Sequence, residues 1–139
     1  MTKLFLDTNI VLDLLGERIP HYQAIAKIMT LVEQGQIQSG ISALSFPTVY
    51  DILSKQIKSE QVKERLRNLK ILCAVAPINE FIIEKSLNSK LKDFEDAIQY
   101  FCALHLDCDI ILTRNAKDYK SSEIPVMTAE EYLVSIGRA

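Results

Sequence analysis

Apolar and polar positions fall into short blocks of two different periods. Leu4-Phe5-Leu6 is a compact apolar run that reads as a buried strand and stops at Asp7. A helical pattern follows at once over residues 9–15, with Thr8 as its expected cap. Residues 16–20 form a break. A second helix is predicted over 21–34, with Ala24, Ile25, Ile28, Met29 and Val32 on one stripe and Gly35 as its terminator. Residues 37–41 read as a strand. Ser45 is placed as the next helix cap, with Pro47 in the first turn, where a missing N–H costs little.

That helix runs through Val49, Ile52 and Leu53, and a charged helix is expected over 59–69. Residues 71–76 read as a strand that Pro77 stops. Helices are predicted over 79–87 and 93–106, the second with Phe94, Ala97, Ile98, Phe101, Cys102 and Leu104 apolar. A strand at 109–113, a loop or short helix at 114–122, a short strand at 124–127 and a helix at 128–136 complete the chain. Thr128 with Glu131 fits a capping box. Strands alternating with helices predict an α/β fold, a central parallel sheet covered on both faces, in a single domain over 1–139.

Composition narrows the picture without deciding it. The 139 residues are 48% hydrophobic and 24% charged, values usual for one globular domain. No apolar run reaches the ~18 residues of a membrane helix, and the N-terminus lacks the form of a secretory signal. Cys73, Cys102 and Cys108 form no CxxC pair, and their odd number argues against a disulfide framework, so a reducing cytoplasm is the expected compartment. The net charge of −2 does not advertise nucleic-acid binding. A basic run at Lys55, Lys58, Lys63, Arg65, Arg67 and Lys70 reads first as a solvated helix face.

The chemistry lies in carboxylates near strand ends. Asp7 follows the first strand, where ligands of α/β proteins gather. Asp51 is on the helix after the second strand, Asp93 and Asp96 open the helix before a late strand, and Asp118 follows that strand. Gathered at one edge, such groups repel and require a cation. Oxygen donors without clustered His or Cys favour Mg²⁺ or Mn²⁺, ions that support phosphodiester cleavage. Each residue also has a plainer role: Asp7 as a helix cap, Asp93 and Asp96 as dipole partners, Asp118 as a turn residue. Asp13 and Asp107 are read as surface groups, and His21 and His105 are isolated. No nucleophile elbow is present.

Three segments in order resemble the signatures of PIN domains: Leu4 to Ile10 (LFLDTNI), Asp93 to Gln99 (DFEDAIQ) and Ile111 to Tyr119 (ILTRNAKDY). Ile124 to Leu133 resembles the family's last strand and helix, so the likeness covers essentially the whole chain. It is nearest to the small bacterial group of VapC-type toxins. The resemblance implies a Mg²⁺- or Mn²⁺-dependent ribonuclease, with Asp7 and Asp96 as metal ligands, Asp118 beside them and Asp93 auxiliary. Where many members carry Asp after the Thr-Arg pair, this chain has Asn115, and Thr113 would orient a water or ligand. The acidic position expected on the helix after the second strand falls near Thr48, with Asp51 one turn on. Arg114 and Lys55 are candidates for holding an RNA backbone. The partners to expect are RNA, a cognate antitoxin protein and a second copy of the chain, with no membrane. The alternative is a PIN-like binding module without activity. A receiver or phosphatase fits less well, because Asp7-Thr8-Asn9 lacks their second acid.

Overall fold

The computed structural model describes residues 1–138. Five strands form one sheet: β1 (Lys3–Leu6), β2 (Gln38–Ser42), β3 (Cys73–Ala76), β4 (Ile110–Leu112) and β5 (Val126–Met127). Their order is β3-β2-β1-β4-β5 and every pairing is parallel. The helices are α1 (Thr8–Leu15), α2 (Tyr22–Glu33), α3 (Ser45–Leu53), α4 (Ser59–Leu72), α5 (Glu80–Leu87), α6 (Phe94–His105) and α7 (Ala129–Ser135), with a 3₁₀ turn at Ala116–Tyr119.

Alternation along β1 divides the core. Leu4 and Leu6 point to the side covered by α1, α2, α3, α4 and α7. Phe5 points to the other side, covered by α5 and α6. Burial on both faces explains why these strands read as unbroken apolar runs. The parallel α/β architecture expected from the sequence is therefore present.

Local differences have clear causes. The cap of α1 is Asp7, whose side chain accepts from the Thr8 N–H; Thr8 is already the first helical residue. The helix α3 likewise begins at Ser45 itself, after a cap residue Leu44 that makes no side-chain bond. The charged helix α4 continues through Leu72, so the first two residues of the expected strand at 71–76 are helical. Ile71 is 81% exposed there, because Val62, Leu66 and Leu69 already form the buried stripe of α4. Phe94 and Leu104, expected on the apolar face of α6, are partly exposed. Gly35 takes a positive φ of 74° just beyond α2, where a side chain would be strained. At the last helix both halves of the capping box, Thr128 and Glu131, are formed.

The basic run at 55–70 is largely a solvated face, with Lys63–Glu60 and Arg67–Glu64 pairs one turn apart. Its exception is Arg65, which donates to the Leu15 carbonyl at the end of α1. Among the described residues no helix is long and apolar enough to cross a membrane.

Candidate active site

The strand order sets the location. From β1 the chain proceeds outward through β2 and β3, then returns to the other side of β1 with β4 and β5. The connections therefore diverge between β1 and β4, and the crevice beyond the carboxyl ends of those strands is where such sheets bind ligands. Asp7 leaves β1 there and Thr113 leaves β4 beside it. The Asp7 N–H closes the ladder onto the Leu112 carbonyl at 3.0 Å.

Asp7 is buried and tightly held. One carboxylate oxygen, Oδ1, accepts from the Thr8 N–H at 2.8 Å and from Gln99 Nε2 at 3.2 Å. The other, Oδ2, accepts from Thr113 Oγ1 at 2.8 Å. Thr113 is fully buried, and its hydroxyl oxygen also accepts from Asn9 Nδ2 and the Asn115 N–H. Gln99 reaches Thr8 Oγ1 as well, at 2.9 Å, and Thr8 pairs with the Ser45 hydroxyl. Three segments far apart in sequence thus fix one carboxylate.

Asp96 lies in the first turn of α6. Its carboxyl is pushed up to about 7, first by burial and then by the negative charges of Asp7, Asp93, Asp118 and Glu95. Asp7 and Asp118 therefore both lie near enough to Asp96 to oppose its ionisation, each from a different element. Asp93 caps α6, accepting the Asp96 N–H at 3.0 Å. Tyr119 is buried beside them. Burial, the charges of Asp7 and Asp96, the approach of the Asp7 carboxylate to the hydroxyl and the charge of Asp118 push its pKa upward, so it keeps its proton, although no contact of that oxygen reaches full hydrogen-bond geometry. The Gln99 Oε1 atom is also buried without a partner.

These features fit a hard cation. The donors are carboxylate and amide oxygens, their mutual repulsion is uncompensated, and buried polar atoms are left over. Among the described residues no three His, Cys, Asp or Glu side chains are gathered tightly enough to hold an ion by themselves. Such an ion would retain waters, as Mg²⁺ commonly does.

The remaining sequence candidates lie elsewhere or have other contacts. Asp51 is exposed on α3 and is not among the charges that act on Asp96. Thr48 donates to the Leu44 carbonyl of its own helix at 3.1 Å. Asn115 is exposed, tied through its backbone to Thr113. Lys55 is exposed just beyond α3. Arg114 donates through Nε to Asp13 at 2.8 Å. Asp13, read as a surface group from its place in α1, is in fact 1% exposed, because Arg114 reaches down from the loop after β4 to neutralise it.

A family model described as PIN domain matches residues 3–117. The chain belongs to the PIN-domain family. Ribonuclease VapC1 of Aquifex aeolicus strain VF5 is 28% identical over 135 residues, covering 94% of this chain and 92% of its own. Two solved structures share the PIN fold. VapBC2 from Rickettsia felis, bound to a DNA fragment from its promoter, matches with a TM-score of 0.68 at 16% identity, over 91% of this chain and 98% of that one. VapBC-1 from nontypeable Haemophilus influenzae matches with a TM-score of 0.68 at 19% identity, over 93% and 99%.

Within this PIN domain, sequence reasoning missed Gln99 and Tyr119, whose importance appears only when α6 and the 3₁₀ turn pack against Asp7. It also missed four lysines, Lys90, Lys92, Lys117 and Lys120, which line a cleft of about 360 Å³ together with Asp93, Asp96 and Asp118. Their dispersal over two loops left no run to notice.

The crowding has a pH signature. Without metal the folded state favours protonated Asp96, whose ordinary value is 3.8. The group's contribution to stability is therefore greatest at acid pH and declines as pH rises from about 4 toward 7, with burial first and then Asp7, Asp93, Asp118 and Glu95 opposing ionisation. Thermal melts in EDTA across this range should show a flatter profile for Asp96→Asn than for the unaltered protein. Parallel profiles would refute the crowding.

Proposed function

We propose that this PIN domain is a Mg²⁺- or Mn²⁺-dependent endoribonuclease and the toxin half of a toxin–antitoxin pair, acting as a single domain in the cytoplasm. The observation that carries the reading is the crowding of Asp7, Asp96 and Asp118 at the switch point of the sheet. Similarity to ribonuclease VapC1 over nearly the full chain supports RNA as the substrate, and the VapBC structures support a protein antitoxin as partner.

In this reading Asp7 and Asp96 would hold the ion, with Asp118 and Asp93 beside them. A divalent ion there would supply an acidified water and neutralise charge on the phosphate. The protein's own share is positional. Thr8, Gln99 and Thr113 fix both oxygens of Asp7, so the carboxylate needs no reordering when substrate arrives. Tyr119 offers a protonated hydroxyl on the same side, suited to donate to an anionic oxygen. Asp96 must ionise to bind the ion, so metal affinity should rise with pH through about 7.

The exposure of Asp51, which is not among the charges acting on Asp96, together with Thr48 at the expected acidic position, favours one rival: a PIN module that binds RNA or protein without cleaving. Incubating the protein with unstructured RNA in EDTA, Mg²⁺ and Mn²⁺ separates the two. The nuclease reading expects internal cleavage with either ion and none in EDTA. Intact RNA under all three conditions, with Mn²⁺ shown by titration not to bind, would leave only the binding module.

A further inference from the structure

The cleft beside the carboxylates carries a charge pattern that the proposed chemistry does not use. Lys90 and Lys92 lie on the connection between α5 and α6, and Lys117 and Lys120 on the 3₁₀ turn and just after it. All four are exposed. Among the described residues none is in ion-pair contact with a carboxylate; the ion pairs involve Lys63, Arg67, Arg114 and His21 instead. Four unpaired ammonium groups therefore share a cleft with three carboxylates, and they come from two segments that bracket Asp93, Asp96 and Asp118.

This arrangement selects the ligand. A single small anion drawn to the lysines would meet the acidic floor at close range. A chain of evenly spaced anionic groups escapes that penalty, placing charges on the lysines and passing over the floor. The cleft, of about 360 Å³, is at the small end of ligand sites and admits one nucleotide-sized unit at a time. We infer that Lys90, Lys92, Lys117 and Lys120 form a two-sided clamp for the sugar-phosphate backbone of single-stranded RNA, threading the strand across the carboxylates. The inference rests on the ribonuclease reading for the identity of the strand, and on the cleft alone for the clamp.

Binding, not cleavage, provides the test. A short fluorescent single-stranded RNA is titrated with the full chain in EDTA at several salt concentrations, and affinity is read by anisotropy. Each phosphate neutralised on a single strand contributes a slope of about −0.7 in log K against log salt. Lys90→Gln with Lys92→Gln, and separately Lys117→Gln with Lys120→Gln, should each make the slope shallower by about 1.4 and weaken binding alike for unrelated sequences. Lys63→Gln, on α4, should leave slope and affinity as they are. Unchanged slopes in both double variants would overturn the clamp, as would equally tight binding of the same sequence as a duplex. RNA that binds through these lysines but is never cut with Mg²⁺ or Mn²⁺ sinks the nuclease reading and leaves the clamp. Metal-dependent cleavage whose KM neither double variant moves does the reverse.

Discussion

Asp7→Asn is expected to remove metal-dependent RNA cleavage and to cost stability as well. Removal of a partner that merely supports a metal ligand typically lowers affinity or activity by about 10–100-fold. Loss of a direct ligand's charge should exceed that. The amide also cannot reproduce the hydrogen bonding of the carboxylate. Placed toward Oδ1, its NH₂ faces the Thr8 N–H and Gln99 Nε2, both donors. Placed toward Oδ2, it faces a Thr113 hydroxyl oxygen that already accepts from Asn9 and Asn115. One buried donor is left without an acceptor in either case, worth about 1–3 kcal/mol. Urea denaturation would read the stability and a cleavage assay the activity. With the charge of Asp7 gone, Asp96 should titrate closer to its ordinary range, which NMR would follow. A variant that folds well, binds Mn²⁺ and cleaves at the original rate would exclude Asp7 from the chemistry.

The second large effect is expected at Arg114. Removing one member of a buried ion pair strands the other charge, at a cost of about 3–5 kcal/mol. Asp13 is almost wholly buried, and its Oδ1 already lacks a partner among the described residues. The Arg114 side chain is 32% exposed, so water reaches the pair, and Arg114→Ala should fall at about the lower end of that range. Replacing both partners with apolar residues, Asp13→Leu with Arg114→Met, should recover most of the loss, since no charge then remains to be desolvated. Chemical denaturation of the single and double variants decides it. Equal losses in both would mean that the pair's role is to shape the loop, not to neutralise Asp13.

What the sequence made legible follows from the range of each interaction. Leu4-Phe5-Leu6 ending on Asp7, the 93–106 pattern and the Thr128–Glu131 box are local signals, and the elements formed where those signals lay. Errors arose where a local rule met a distant partner. Asp13 lies in an otherwise apolar stretch of α1 and reads as a surface residue until Arg114, 101 positions later, is seen to pair with it. Residues 71–72 have strand-like composition, yet the stripe of α4 carries the helix past them. The carboxylates could be nominated individually as strand-end acids. Their meeting depends on strand order, and the lysine cleft depends on two loops whose approach no short pattern encodes.

The central position of β1 carries a consequence for synthesis. Asp7 is made before the side chains that orient it, Gln99 and Thr113, which lie 92 and 106 residues further on. Pairing across such a span comes late, because a long loop must close before the contacts reward it. A nascent chain that stops short of Gln99 holds Asp7 but none of its distant supports. The corner around Asp7 is therefore assembled only after Thr113 has been made and β4 has paired with β1.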